Sequence, residues 1–217
     1  MLGTKVLEER ESKFNGHLRV VKTLGIGTYI QADGLTQSGG IVESIWSSTL
    51  KRINKLTNQP INSCLILGLG GGTVAKLIRK NLPEAKITGV DIDPEMIELG
   101  KKYLGLDELD VDIKIQDALV AAKRLMVKAN ETLRDERYDL VIVDLYQGDN
   151  FPEKFATEEF IELARTVLTS SGMAVFNRLY YGDKRPEAVK FGLKLQKIFE
   201  SVEYFYPEAN LMFICSK

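Results

Sequence analysis

Two textures of apolar and polar positions divide the chain. Between Lys5 and about Asp33 the apolar residues come in short β-like runs: Leu18–Lys22, a break at Gly25-Ile26-Gly27, then Thr28–Ala32. Short runs bounded by glycine predict a hairpin. Gly39-Gly40 closes this region, and from Ile41 to Leu56 the apolar positions Ile41, Ile45, Leu50 and Ile53 recur at helical spacing. Trp46 lies inside that helix and reads as a packing residue. From Ser63 onward, buried strands alternate with amphipathic helices. Strands are predicted at Cys64–Leu67, Lys86–Val90, Val111–Ile115, Tyr138–Val143 and Gly172–Asn177. Helices are predicted at Thr73–Asn81, from Asp93-Pro94 through Tyr103, and at Ala118–Leu133, Thr157–Leu168 and Pro186–Phe199. The alternation argues a mostly parallel sheet with helices on both faces. The chain therefore divides into an N-terminal β-hairpin region, 1–40, and one α/β domain, 41–217.

The end of the chain breaks the alternation. Val202–Tyr206 and Leu211–Cys215 are strand-like and separated only by Pro207-Glu208-Ala209-Asn210, too short for a helix. They are predicted to pair antiparallel. Composition adds exclusions. Apolar residues make up 44% and charged residues 27%, and the 29 basic and 30 acidic side chains leave a net charge of −1. Nothing in this balance calls for a nucleic-acid partner. No apolar stretch reaches the ~20 residues of a membrane span, and the mixed-charge start lacks a hydrophobic targeting core, so a cytoplasmic protein is expected. Cys64 and Cys215 sit in apolar runs far apart, which predicts free buried thiols. One histidine, His17, and two distant cysteines do not make a usual zinc site, and no metal is expected.

The candidate chemistry collects where predicted strands end. Gly68-Leu69-Gly70-Gly71-Gly72-Thr73 follows one strand and opens a helix, and its glycines permit a tight turn and a close backbone approach to a ligand. Thr73 stands where a dinucleotide fingerprint wants a small residue, so the spacing favours an adenosyl sulfonium over a pyrophosphate. Asp91 ends the next strand in Gly89-Val90-Asp91-Ile92-Asp93, where a carboxylate accepts ribose hydroxyls. Asp117-Ala118 closes the third strand, within reach of an adenine amino group, and Asp144 ends the fourth. In an open α/β sheet this is the ligand-binding edge.

Leu67–Thr73, Val90–Asp93, Gln116-Asp117-Ala118 and Val141–Asp144 resemble, in order, the motifs of the spermidine synthases and their relatives. Glu11–Phe14 and Ala32–Gln37 resemble that family's N-terminal hairpin region. The resemblance covers nearly the whole chain. It implies a Rossmann-like class I methyltransferase fold, a mostly parallel seven-stranded sheet with an antiparallel last strand. It also implies that S-adenosylmethionine or its decarboxylated form is held by Gln37, Asp91 and Asp117, with Ile92 and Ala118 beside them. Gly68, Gly70, Gly71 and Gly72 would lie under the nucleoside, and Asp144 would face the reacting centre. A small amine as acceptor and a homodimer are further implications.

The departures from that family shape the expected reaction. Aminopropyltransferases carry an aspartate where this chain has Gly71, and a second one where it has Gln147. Their Tyr-His pair before a glutamate is matched here by Ile41-Val42 before Glu43. Losing the loop acid removes a charge that would repel the ordinary cofactor's carboxylate. Gln147 cannot supply the anion that a dicationic acceptor wants. Methyl transfer to a small amine or other nucleophile is therefore expected. Asp144 would orient the nucleophile or take its proton, assisted by Tyr146, Gln147 or Asp149. Tyr146 either orients the acceptor or packs on the sheet edge. Two alternatives stand beside this reading. One is aminopropyl transfer, with Asp149 replacing the missing acid. The other is a non-catalytic nucleoside-binding subunit, since Ile66 stands where many methyltransferases place an acid. Tyr180–Arg185, at the carboxyl edge of the fifth strand, reads as a surface loop, with a cover over the acceptor pocket as the alternative.

Overall fold

The central strands are apolar along their whole length because both of their faces are covered. In the computed structural model, which describes residues 3–131 and 137–217, β5 (Ser63–Leu67), β6 (Lys86–Asp91), β7 (Val111–Ile115), β8 (Tyr138–Val143) and β9 (Leu168–Leu179) form the parallel portion of one sheet. Its full order is β10-β11-β9-β8-β5-β6-β7, with β10 (Ser201–Phe205) and β11 (Asn210–Ser216) at one edge. β11 runs antiparallel to both of its neighbours, β9 and β10. The predicted terminal hairpin is thus present, and its second strand is the one inserted next to β9.

Helices α1 (Ile41–Leu56) and α2 (Thr73–Asn81) pack on one face of this sheet. On the other face lie α4 (Ala118–Glu131), α5 (Glu158–Thr166) and α6 (Lys184–Ile198). Their starts are written locally. Asp93 caps α3 (Pro94–Leu104) by accepting from the N–H groups of Glu95 and Met96, with Pro94 in the first turn. Thr157 caps α5 through the N–H of Phe160. The expected extension of α4 to Leu133 falls outside the described residues.

Three expectations change. The N-terminal hairpin is a four-stranded antiparallel sheet, β1 (Thr4–Ser12), β2 (Gly16–Thr23), β3 (Gly27–Ala32) and β4 (Leu35–Gly39). It buries Leu18, Val20, Ile30 and Ala32 against Met96 and Leu99 of α3. The fifth parallel strand starts at Leu168 rather than Gly172. Leu168 pairs with Tyr138 and Met173 with Leu140, so the polar residues between them bulge out without ending the strand. As a result α5 is shorter than predicted and stops at Thr166. Cys64 and Cys215 are free and buried, and burial pushes the Cys64 thiol up to about 12. His17 lies in β2 beside Glu11. Among the described residues no helix is long and apolar enough to cross a membrane, and no group of His, Cys, Asp or Glu is arranged to hold a metal.

Candidate active site

At the carboxyl ends of the parallel strands lies a cavity of about 680 Å³, large enough for a nucleoside and a small second substrate. The turn after β5 shapes its floor. Gly68 has φ +92°, and a Cβ there would lie 2.0 Å from the carbonyl oxygen of Asp144. Only glycine allows the ends of β5 and β8 to meet this closely. Gly70 donates its N–H to Asp91 Oδ2 at 2.7 Å, and Asp91 Oδ1 accepts from the N–H of Asp93 at 2.9 Å. Asp91 therefore organises the loop and keeps lone pairs for the cavity it lines. Burial raises its proton affinity, opposed by those N–H donors.

Asp117 follows β7 and caps α4, accepting from the N–H groups of Leu119 and Val120. Its other oxygen accepts from Lys154 Nζ. Burial works against ionisation here, yet the Lys154 ammonium and the two N–H groups prevail and hold the carboxyl below its usual range. Asp144 is treated differently. Its Oδ1 accepts from Asn177 Nδ2 at 2.8 Å and its Oδ2 from Trp46 Nε1 at 2.9 Å. No cation among the described residues touches it, and burial raises its pKa against the pull of these two neutral donors. Asn210 Nδ2 donates in turn to Asn177 Oδ1 at 2.8 Å.

The N-terminal sheet supplies the roof. Ser38 Oγ accepts from the N–H of Gly71, and Thr73 Oγ1 accepts from the N–H of Gly39, both at 2.7 Å. Gln37 Nε2 reaches over to donate to the carbonyl of Gly148 at 3.1 Å. β4 thus grips the glycine loop and the loop after β8 together.

The cavity wall brings together Gln37, Gly68, Gly70, Asp91, Ile92, Asp117, Ala118, Asp144, Tyr146 and Gln147. It does not include Gly71, Gly72 or Asp149. A Cβ on Gly71 would meet Ile30, Leu104 and Ser38 at 2.9 Å, so that position faces the N-terminal sheet and α3 rather than the cavity. Gly72, at φ +90°, packs on Leu106 as it starts α2. Asp149 pairs with Lys184 at 3.3 Å beside a separate small hollow behind Tyr146. The expected acid substitute is therefore turned away. The Tyr146 hydroxyl accepts from the N–H of Leu179 at 2.7 Å, leaving its ring as wall, packed edge-on to Phe151. Ile66 is fully buried in β5.

Several wall residues escaped the sequence reading: Trp46, Lys154, Asn177, Glu208 and Asn210. Asn177 and Asn210 did carry a signal, since each is an amide beside an apolar strand run, and a buried polar group in such a run needs a stated partner. Trp46 is a packing residue as expected, but its N–H also points at Asp144.

The spermine/spermidine synthase domain pattern matches residues 43–207. The chain belongs to this family. A stretch of 123 residues, 56% of this chain and 39% of the relative, is 31% identical to a polyamine aminopropyltransferase of Vibrio vulnificus. A polyamine aminopropyltransferase of Clostridium botulinum is 28% identical over 221 residues, 95% of this chain and 74% of the relative. An eEF1A lysine and N-terminal methyltransferase of Bos taurus is 28% identical over 173 residues, 76% of this chain but 24% of that protein. The chain thus spans well under half the length of two of these relatives. The spermidine synthase of Thermotoga maritima shares the fold, with a TM-score of 0.77 at 18% identity over 98% of this chain and 73% of that one.

Proposed function

We propose that the chain moves an aminopropyl group from decarboxylated S-adenosylmethionine to a small amine. The observation that carries this reading is Asp144, a desolvated carboxylate in the cavity wall held by Trp46 and Asn177, with no cation among the described residues beside it. The reaction is an in-line displacement. The amine nitrogen bonds to the carbon beside the sulfonium, the C–S bond breaks, and sulfur keeps the electron pair as a thioether. An ammonium has no lone pair, so its proton must leave first, and a carboxylate of raised proton affinity is suited to take it. The nucleoside half fits the chain's residues: Asp91 has acceptor sites left for ribose hydroxyls, and Gly68 and Gly70 leave the floor open. Asp117 and Ala118 line the end expected to take the base.

Family membership and the names of the Vibrio and Clostridium relatives support aminopropyl transfer over the methyl transfer that the sequence alone favoured. The argument from Gly71 loses its footing, because a side chain at that position would grow into Ile30 and Leu104 instead of toward a cofactor carboxylate. Methyl transfer remains a second reading on one observation. The loop residues in the cavity wall, Gly68, Leu69 and Gly70, offer no negative charge against the ordinary cofactor. Mass spectrometry of products separates the two. The protein is incubated with small amines and either cofactor. Aminopropylated amine formed only from the decarboxylated form is the expected outcome, whereas methylated amine from the ordinary form would establish the second reading. Nucleoside binding without product from either would point to the non-catalytic alternative.

A further inference from the structure

The structure assigns to Arg178 the task of holding the loop after β8, residues 145–151, in place beside the reacting centre. The catalytic consequence rests on the amine-transfer reading above. Successive side chains of a strand point to opposite faces, and the end of β9 uses both. Asn177 lines the cavity and donates to Asp144 Oδ1 at 2.8 Å, while the N–H of Leu179 donates to the Tyr146 hydroxyl at 2.7 Å. Arg178, between them, turns away from the cavity. Its guanidinium carbon lies 4.1 Å from the ring centre of Phe151 and 5.0 Å from that of Phe191. Phe151 closes the loop and packs edge-on against Tyr146, with ring centres 5.5 Å apart, and Phe191 belongs to α6. Three consecutive residues of β9 thus hold three positions of one loop, and Arg178 joins that loop to α6.

The fold alone gives little reason for a cation at this point. The Arg178 side chain is 7% exposed, and its Nη1 has no hydrogen-bond partner among the described residues. The one carboxylate within 4 Å of it among those residues is Glu187, 3.7 Å from Nη2 and itself 66% exposed. Burial lowers the Arg178 pKa against the pull of Tyr146 and Glu187, so the charge is kept at a cost in stability. Methionine would fill the space between the two rings without that desolvation. What a guanidinium adds is attraction to both aromatic faces at once. The loop depends on that attachment because its other ties are peripheral. Gln147 and Asn150 exchange N–H···O bonds of 2.9 and 3.0 Å with each other, which closes the turn on itself without fixing it to the sheet. The half-exposed Asp149 meets Lys184 at 3.3 Å, and the Gly148 carbonyl accepts from Gln37 of the N-terminal sheet at 3.1 Å. Arg178 is therefore a positioning residue. Through Phe151 it sets the place of the Tyr146 ring in the cavity wall, and it lowers the stability of the fold in doing so.

Amide hydrogen exchange read by NMR, with thermal unfolding beside it, tests this on wild type, Arg178→Met and Arg178→Lys. The Leu179 amide is the local probe, because its partner is the Tyr146 hydroxyl and it is freed when the loop leaves its seat. The Val175 amide, in the middle of β9 and buried, reports global opening. In Arg178→Met the Leu179 amide is expected to exchange about tenfold or more faster, the scale of one lost cation–π contact. The Val175 amide should not speed up, and the Tm should equal or exceed that of wild type. Arg178→Lys, which keeps the charge without the planar fork, should fall between the two at Leu179. An unchanged Leu179 amide in Arg178→Met would overturn the assignment. So would equal acceleration of both amides with a lowered Tm, since Arg178 would then only support the fold. In the transfer reaction, Arg178→Met should raise the KM for the amine by a factor similar to the Leu179 acceleration. Absence of aminopropylated product from wild type would defeat the reading of the reaction alone, with the exchange result standing.

Discussion

Among the described residues Asp144 meets only neutral donors, and this decides how the site should respond to pH. Burial raises its pKa, with the Asn177 amide and the Trp46 N–H as the opposing pulls. The base form is therefore lost at a pH above the ~3.9 of an ordinary aspartate. The acid limb of kcat/KM is expected to lie correspondingly high and to disappear in Asp144→Asn, along with ~10²–10⁴ of the rate if the proton passes through this residue. Trp46→Phe removes one donor to the charged form, so the limb should move up further. A limb that stays in place in Trp46→Phe would mean that the indole does not tune the carboxylate. The three strand-end acids were legible because each follows a predicted strand at its carboxyl end. Their partners were not. Trp46 and Asn177 are 98 and 33 positions from Asp144, and only the packing of α1 on the sheet and the pairing of β8 with β9 bring them together. Asp149 misled for the opposite reason: nearness in sequence suggested a shared pocket, but the turn at Gly148 sends its side chain to Lys184.

Glycine-bearing turns are the elements on which the site depends, and they are not equivalent. At Gly68 a side chain would collide with the Asp144 backbone and also meet a positive φ. Gly68→Ala must therefore push apart the ends of β5 and β8, at about 2–5 kcal/mol from strain and overpacking together. Gly148 also has positive φ, +62°, but nothing stands within 4 Å of its missing Cβ. Gly148→Ala should cost only the conformational term, about 1–2 kcal/mol. Urea denaturation checks the ordering, and equal losses would show that close backbone approach is not what holds Gly68. Elements with strong local punctuation were readable from the chain. α3 has a capping aspartate and a first-turn proline, and the β10–β11 hairpin had too few linking residues for a helix. β9 was read short because its first turn of pairing bulges through Thr169–Gly172, and such a bulge resembles a loop in sequence. β4 was missed as a strand because Leu35–Gly39 is short and polar, its pairing supplied by β3.

At the scale of the whole molecule, the N-terminal sheet completes the cavity only while it stays docked on α3. Two acids secure that docking. Asp93 is fully buried, and besides capping α3 it accepts from Ser12 Oγ and Asn15 Nδ2, both at 2.6 Å. Glu8 in β1 accepts from Lys102 Nζ and from the Tyr103 hydroxyl at 2.7 Å, both on α3, and from Arg10 Nε at 2.6 Å. The Lys102 ammonium first, then Tyr103 and Arg10, hold the Glu8 carboxyl down at about 2, from an ordinary 4.5. A depressed folded-state value stabilises the native state above the unfolded value and loses that contribution as the proton binds. The contribution is thus complete above pH 4.5 and fades between pH 4.5 and about 2. Glu8→Gln should lower the Tm by roughly 2–4 °C at neutral pH, and the gap to wild type should close across that acid window. Glu98→Gln is the control, because Glu98 meets Lys101 on the exposed side of α3 and bridges no two elements. Its Tm should be nearly unchanged at every pH. A gap for Glu8→Gln that persists undiminished to pH 2 would mean the charge is not what docks the sheet. Because β4 carries Gln37, Ser38 and Gly39 over the glycine loop, the same variant should weaken nucleoside binding at neutral pH, although Glu8 lies outside the cavity wall.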